Sequence, residues 1–123
     1  KGKKSYQPIL SFIAETREYA AGALRTGDRP DGREIAVHLD AVAESLPSTV
    51  KQVYARADSG FYCREAIDAY EKKHWHYIVV ARKTARLIDK LQAADWKPSP
   101  KTDADEQCEF LYQPEGWSRA HRF

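Results

Sequence analysis

Asp58 stands in the stretch Val53-Tyr-Ala-Arg-Ala-Asp-Ser-Gly-Phe-Tyr62, where an alternating run breaks at Ser59-Gly60 and hands over to a helical pattern. A carboxylate at the C-terminal end of a strand, beside a glycine, sits where open α/β sheets gather their ligands. The chemistry it suits is divalent-metal binding, because aspartate is a hard oxygen donor of the kind Mg²⁺ takes while keeping several waters. Phosphoryl-transfer enzymes that hold two ions need such carboxylates converging from different strands. An aspartate in this position equally suits a turn or a helix N-cap, where its oxygens accept backbone hydrogen bonds. Spacing alone leaves both roles open.

Other residue groups point less far. Asp58-Ser59-Gly60 matches the triplet of aspartic proteases, but a helical pattern follows it and Arg56 stands where an apolar residue is expected. His74-x-His76 shares one face of a strand, yet no cysteine or third histidine lies at a ligand spacing, so the pair reads as surface or boundary histidines. Cys63 falls on an apolar helix face and reads as core. Arg82 and Lys83 close a second strand. If that strand runs parallel beside the first, the two cations border Asp58 and can hold a phosphate backbone; otherwise they end a strand in water.

The elements that must position these residues follow from periodicity. Pro8–Ala14 is apolar on both faces and rich in strand formers, and Tyr19–Leu24 is a weaker strand joined to it by four polar residues, which predicts an antiparallel hairpin. Residues 25–32 form a loop. Asp31-x-x-Glu34 has capping-box spacing, and Ile35, Leu39, Val42 and Leu46 make one helical stripe that Pro47 and Ser48 stop. A strand from Lys51 to Asp58 places Val53, Ala55 and Ala57 on one side and Tyr54, Arg56 and Asp58 on the other. A helix from Tyr62 to Lys73 turns Cys63, Ala66, Ile67 and Tyr70 inward. Trp75–Ala81 has no alternation, the pattern of a strand buried on both faces. The strand–helix–strand order of these three elements favours parallel pairing. Thr84 caps a third helix with Leu87, Ile88 and Leu91 inward. Residues 95–105 read as an irregular mobile loop and Cys108–Tyr112 as a last strand, followed by a turn at Gln113–Gly116.

Composition bounds the rest. The 123 residues, 42% hydrophobic and 31% charged, suit one soluble domain with a modest core. A formal charge of +2 is too small to argue nucleic-acid binding, and the terminal clusters Lys1, Lys3, Lys4 and Arg119, Arg122 read as solvated ends. No apolar run approaches the roughly 20 residues of a membrane span. Cys63 and Cys108 are expected to be free thiols of a reducing cytoplasm. The lack of methionine, with Lys1 first, is expected of a chain cut from something longer.

Three pieces in order carry a family resemblance: Ser5-Tyr-Gln-Pro8 entering a strand, Leu24-Arg-Thr-Gly-Asp28, and above all Arg56-Ala-Asp-Ser-Gly-Phe61. From about Lys4 to Ala81, and less closely at Leu111–Trp117, the chain resembles the catalytic domain of DDE transposases of bacterial insertion sequences. It departs from them near Asp28, where asparagine is usual. The resemblance implies an α/β, RNase H-like mixed sheet: an antiparallel hairpin within three antiparallel strands, then parallel strands with crossover helices on both faces, incomplete in this stretch. It implies that Asp58 is the second carboxylate of an Asp-Asp-Glu triad holding Mg²⁺ (or Mn²⁺), with the first aspartate before Lys1 and the glutamate on a later helix. Asp95, Asp103, Glu106, Glu109 and Glu115 lack the helical context for that glutamate. The implied partner is DNA, both element ends and target, met by Arg25, Arg82 and Lys83. The implied assembly is a homodimer or higher form on DNA, cytoplasmic and nucleoid-associated, with no membrane. The 123 residues alone are expected to bind Mg²⁺ weakly and to cut no DNA. An RNase H-like nuclease or recombinase, and a non-catalytic DNA-binding or assembly module, are the alternative readings.

Overall fold

The structure is a computed structural model that describes residues 6–27, 30–101 and 105–123. Lys1, Lys3, Lys4, Ser5, Asp28 and Asp103, named above, lie outside the described residues. The chain forms two units, Lys1–Ala81 and Arg82–Phe123.

The first unit opens with the expected hairpin, β1 (Ile9–Phe12) against β2 (Tyr19–Ala23), antiparallel. Arg17 takes a positive φ of 62° in its turn. Helix α1 (Gly32–Ser45) begins at the predicted capping box: Asp31 accepts from the Glu34 amide, and the Glu34 carboxylate accepts from the Asp31 amide. Ile35, Leu39 and Val42 are buried as the stripe requires. Fully burying side chains of this size is worth about 1.5–3 kcal/mol each, so the stripe, rather than the cap, pins the helix.

Strand β3 (Tyr54–Ala57) pairs in parallel with β4 (His76–Val79), Tyr54 opposite His76 and Ala57 opposite Val79. Between them, a 3₁₀ turn (Ser59–Phe61) precedes helix α2 (Arg64–Lys72), whose Ala66, Ile67 and Tyr70 are buried. Burial raises the Tyr70 phenol well above its ordinary range, with the nearby Cys63 adding to the effect. Helix α2 stops because His74 adopts a φ of 56°. The His74 amide then donates to Glu71 and the Trp75 amide to Tyr70, the double bond of a Schellman motif.

Four expectations are corrected here. The strand through Trp75–Ala81 is covered on one face only: Tyr77 stacks on Tyr70 of α2 at 5.3 Å, whereas Ile78 (72% exposed) and Val80 (58%) face outward. The lack of alternation reflected apolar residues on both faces, not cover on both. The single mixed sheet is, among the described residues, a set of separate two-stranded ladders, with no bond row joining the hairpin to β3–β4. Residues 95–105 are not wholly irregular, since β5 (Lys97–Pro98) pairs antiparallel with β6 (Glu106–Gln107). Ile88 is exposed rather than inward, because only Leu87 of the helix that carries it is buried.

In the second unit, Thr84 caps α3 (Ala85–Gln92) by accepting from the Leu87 amide. Strand β7 (Leu111–Tyr112), within the expected last strand, pairs with β8 (His121–Arg122). Phe110 and Phe123 extend that pairing through reciprocal backbone bonds of 2.9 Å. No described helix is long and apolar enough to cross a membrane.

Candidate functional site

Asp58 follows the last residue of β3, and the parallel register brings the end of β4 beside it, with the Val80 amide donating to the Ala57 carbonyl at 3.1 Å. The predicted sidedness holds. Val53, Ala55 and Ala57 are half-buried, while Tyr54, Arg56 and Asp58 are exposed on the opposite face. Asp58 is also the N-cap of the 3₁₀ turn: its Oδ1 accepts from the Gly60 amide at 2.8 Å, and its carbonyl accepts from the Phe61 amide at 3.1 Å. Gly60 matters through space, since a Cβ there would lie 2.8 Å from Asp58 Oδ1, too close for that hydrogen bond to persist. The cap fixes one carboxylate oxygen of an exposed residue and leaves Oδ2 without a hydrogen-bond partner among the described residues. Cap and ligand are therefore compatible roles, because a carboxylate has lone pairs to spare.

Behind the turn stands a residue that sequence reasoning missed. His38 is the buried polar side chain of the described core, at 6% exposure. Its Nε2 lies 2.8 Å from Ser11 Oγ on β1, and its ring meets Phe61 edge-on at a centroid distance of 6.2 Å. Burial lowers its pKa from the ordinary value of 6.5, so the neutral ring is favoured. His38 thus ties the hairpin to the turn that starts at Asp58. The signal was available: position 38 lies three residues after Ile35 and four before Val42, on the apolar stripe itself.

The remaining candidates separate. Arg25 Nη2 donates to both carboxylate oxygens of Glu34, 2.6 Å to Oε1 and 2.5 Å to Oε2, with Nε donating to Oε1 at 3.1 Å, and the guanidinium holds that carboxyl below its ordinary range. His76 is engaged by Gln52 at 2.8 Å and His74 sits in the helix stop, so the two histidines form no shared metal site. Cys63 is the half-buried N-cap of α2. Arg82 (half-buried) and Lys83 (exposed) open the second unit. In that unit Asp95 pairs with Lys97, Glu109 with Arg122 and Glu115 with Arg86, all at exposed positions.

A divalent ion is the group this site would be expected to hold. Among the described residues no three acidic, histidine or cysteine side chains converge as a metal would require. Several other acids of the first unit are occupied structurally, among them Glu34 by Arg25, Asp40 by Lys73 and Glu71 by the Tyr77 hydroxyl. One exposed carboxylate with one oxygen already hydrogen-bonded does not fit a resident ion, because hard cations take several oxygen ligands. Asp58 is a single available ligand.

Comparison with known proteins places these residues in context. The sequence matches the family described as Transposase DDE domain group 1 across residues 1–123. No curated protein and no solved structure matches the chain.

Proposed function

Because the chain belongs to the transposase DDE domain family, we propose that it supplies part of the catalytic centre of a transposase that cuts and joins DNA by phosphoryl transfer, on an RNase H-like scaffold. Asp58 is the residue assigned to the chemistry. The observation that carries this reading is the family match together with an exposed carboxylate at the C-terminal end of a parallel strand, only one of whose oxygens the cap engages. A divalent ion, Mg²⁺ or Mn²⁺, would supply Lewis-acid activation of the phosphodiester when bound. The chain's own contribution is positional: the Gly60 amide fixes the Asp58 carboxylate, and Phe61 seats the turn on His38. The other acidic ligands must come from residues beyond those described, and the 123 residues alone are therefore assigned no cleavage activity. Arg82 and Lys83 are assigned to the DNA backbone. Arg25 is assigned there as well, with its guanidinium already engaged by Glu34. Joining two element ends to a target favours a homodimer or a larger assembly on DNA, in the nucleoid of a bacterial cytoplasm.

The test is Asp58→Ala in the full-length protein. Transposition and Mg²⁺-dependent cleavage should fall by roughly a thousandfold or more, while DNA binding and thermal stability stay near wild type. Unchanged cleavage would leave Asp58 a cap alone, with an expected cost of about 1 kcal/mol in stability. That outcome supports the second reading, a DNA-binding or assembly module without catalysis.

A further inference from the structure

The exposed face of β3–β4 presents, in register, a stacked aromatic pair, a guanidinium and a carboxylate. Tyr54 (71% exposed) stacks on His76 with centroids 4.8 Å apart and planes 16° from parallel. Arg56 lies on the same face, opposite Ile78, and Asp58 follows two residues on. Arg56 is exposed and has no hydrogen-bond or ion-pair partner among the described residues. Its five side-chain N–H donors are therefore available on a surface shared with Tyr54, His76, Ile78, Val80 and Asp58, all exposed.

We propose that this face is a DNA-backbone track, in which Arg56 binds the phosphate next to the phosphodiester presented to Asp58. Charge decides the occupant. An apolar protein segment laid on this face would cover Ile78 and Val80, but it would also desolvate Arg56 and Asp58, which form no ion pair with each other among the described residues, and that costs several kcal/mol. A phosphate supplies the counter-ion, and a guanidinium fork matches two of its oxygens. The exposed Tyr54–His76 plane offers the flat apolar surface on which a base or sugar packs. A strand running along the face thus meets stacking, phosphate clamp and carboxylate in order. Arg56 is a binding and positioning residue for the reaction, and this assignment rests on the transposase reading.

The experiment uses the full-length protein with Arg56→Ala, Arg56→Gln and Arg56→Lys, and a fluorescent mixed-sequence DNA duplex as the probe. Binding is measured over a salt series, and cleavage on a plasmid bearing the parent element in Mg²⁺. Arg56→Ala and Arg56→Gln should bind roughly tenfold more weakly, with the slope of log K against log salt smaller by about 0.9, the signature of one lost phosphate contact. Arg56→Lys should recover the slope but not the cleavage rate, since an ammonium keeps the charge and loses the fork. The salt slope is a readout that a merely structural residue would not move. Gln keeps part of the stem, so it carries the test should the Ala variant fold poorly. An unchanged slope and cleavage rate in both neutral variants overturns the assignment and leaves the face to a protein neighbour. Asp58→Ala, run in parallel, separates the failures. Cleavage lost with Asp58→Ala but untouched by the Arg56 variants sinks this inference alone, whereas a wild-type protein that neither binds nor cleaves DNA sinks both.

Discussion

The two units bury apolar surface in different ways. In Lys1–Ala81 the core is continuous: Ile9 and Ala21 of the hairpin, Ile35, Leu39 and Val42 of α1, and Ala66, Ile67 and Tyr70 of α2 are all buried. In Arg82–Phe123 the buried apolar side chains among the described residues are Leu87 and Pro114, and the described strands are two residues long. There, backbone pairing and aromatic contacts such as Tyr112 edge-on to Phe123 hold the chain instead. The difference bears on function, because a carboxylate is positioned by what lies beneath it. Asp58 belongs to the unit with the core, and its turn rests on Phe61 and His38. Lys83 and Arg82 belong to the unit whose rigidity comes from short ladders, which suits surface contact with a backbone better than alignment of reacting atoms.

The sharpest way to break this contrast is to cut into each core. Tyr70→Ala should destabilise the protein by about 3–5 kcal/mol, since it removes a fully buried ring stacked on Tyr77. Leu87→Ala should cost about 2–3 kcal/mol, because a site with fewer buried neighbours collapses more readily onto the gap. Urea unfolding measures both, and equal losses would mean that the second unit is as well packed as the first.

A smaller effect sharpens the role of His38. Because burial lowers its pKa below 6.5, the folded state binds the proton less readily than the unfolded chain does. Its contribution to stability is present above pH 6.5 and is lost as the pH falls from there through the lowered folded value. His38→Gln should remove that part of the pH dependence in a denaturation series. Glu34 acts in the same direction at lower pH, its stabilisation by Arg25 fading below 4.5, so the two windows can be told apart. An unaltered profile between pH 7 and 5 would exclude a titrating His38.

The smallest effect concerns the end of α2. His74 pays for a left-handed conformation that glycine adopts freely, so His74→Gly should stabilise the protein by up to about 1 kcal/mol. A loss of stability would show that the imidazole makes a contact worth more than the strain. Thermal unfolding reads the sign directly.

Legibility followed the same division. The hairpin, the capping box at Asp31 and Glu34, the apolar stripe of α1 and the outward set Tyr54, Arg56 and Asp58 were all readable, because each rests on local spacing. Of the inward set read for α2, Ala66, Ile67 and Tyr70 were readable for the same reason, whereas Cys63 is its half-buried N-cap rather than core. Strand ends were less so: β3 is shorter than Lys51–Asp58, and the 3₁₀ turn at Ser59–Phe61 displaced the start of the helix to Arg64. The ladder of Lys97–Pro98 with Glu106–Gln107 escaped notice because pairing across an intervening loop leaves no periodic trace in so short a run. Ser11 and His38 are 27 residues apart, and no pattern in either segment names the other.

By itself, the sequence determined which residues turn inward on each helix and strand, that Asp58 ends a strand before a glycine, and which family the chain resembles. Those properties depend on periods of two and 3.6 residues and on short motifs, all of them local. The tertiary structure decided that Asp58 caps the turn through one oxygen while staying exposed, that Arg25 is engaged by Glu34, that the Arg56 side chain is left unpaired among the described residues, and that His38 braces the turn. Each of these is a matter of which donor meets which acceptor once distant segments are packed together. Such pairings are set by competition in three dimensions, where one charge taken by a neighbour is unavailable to a substrate.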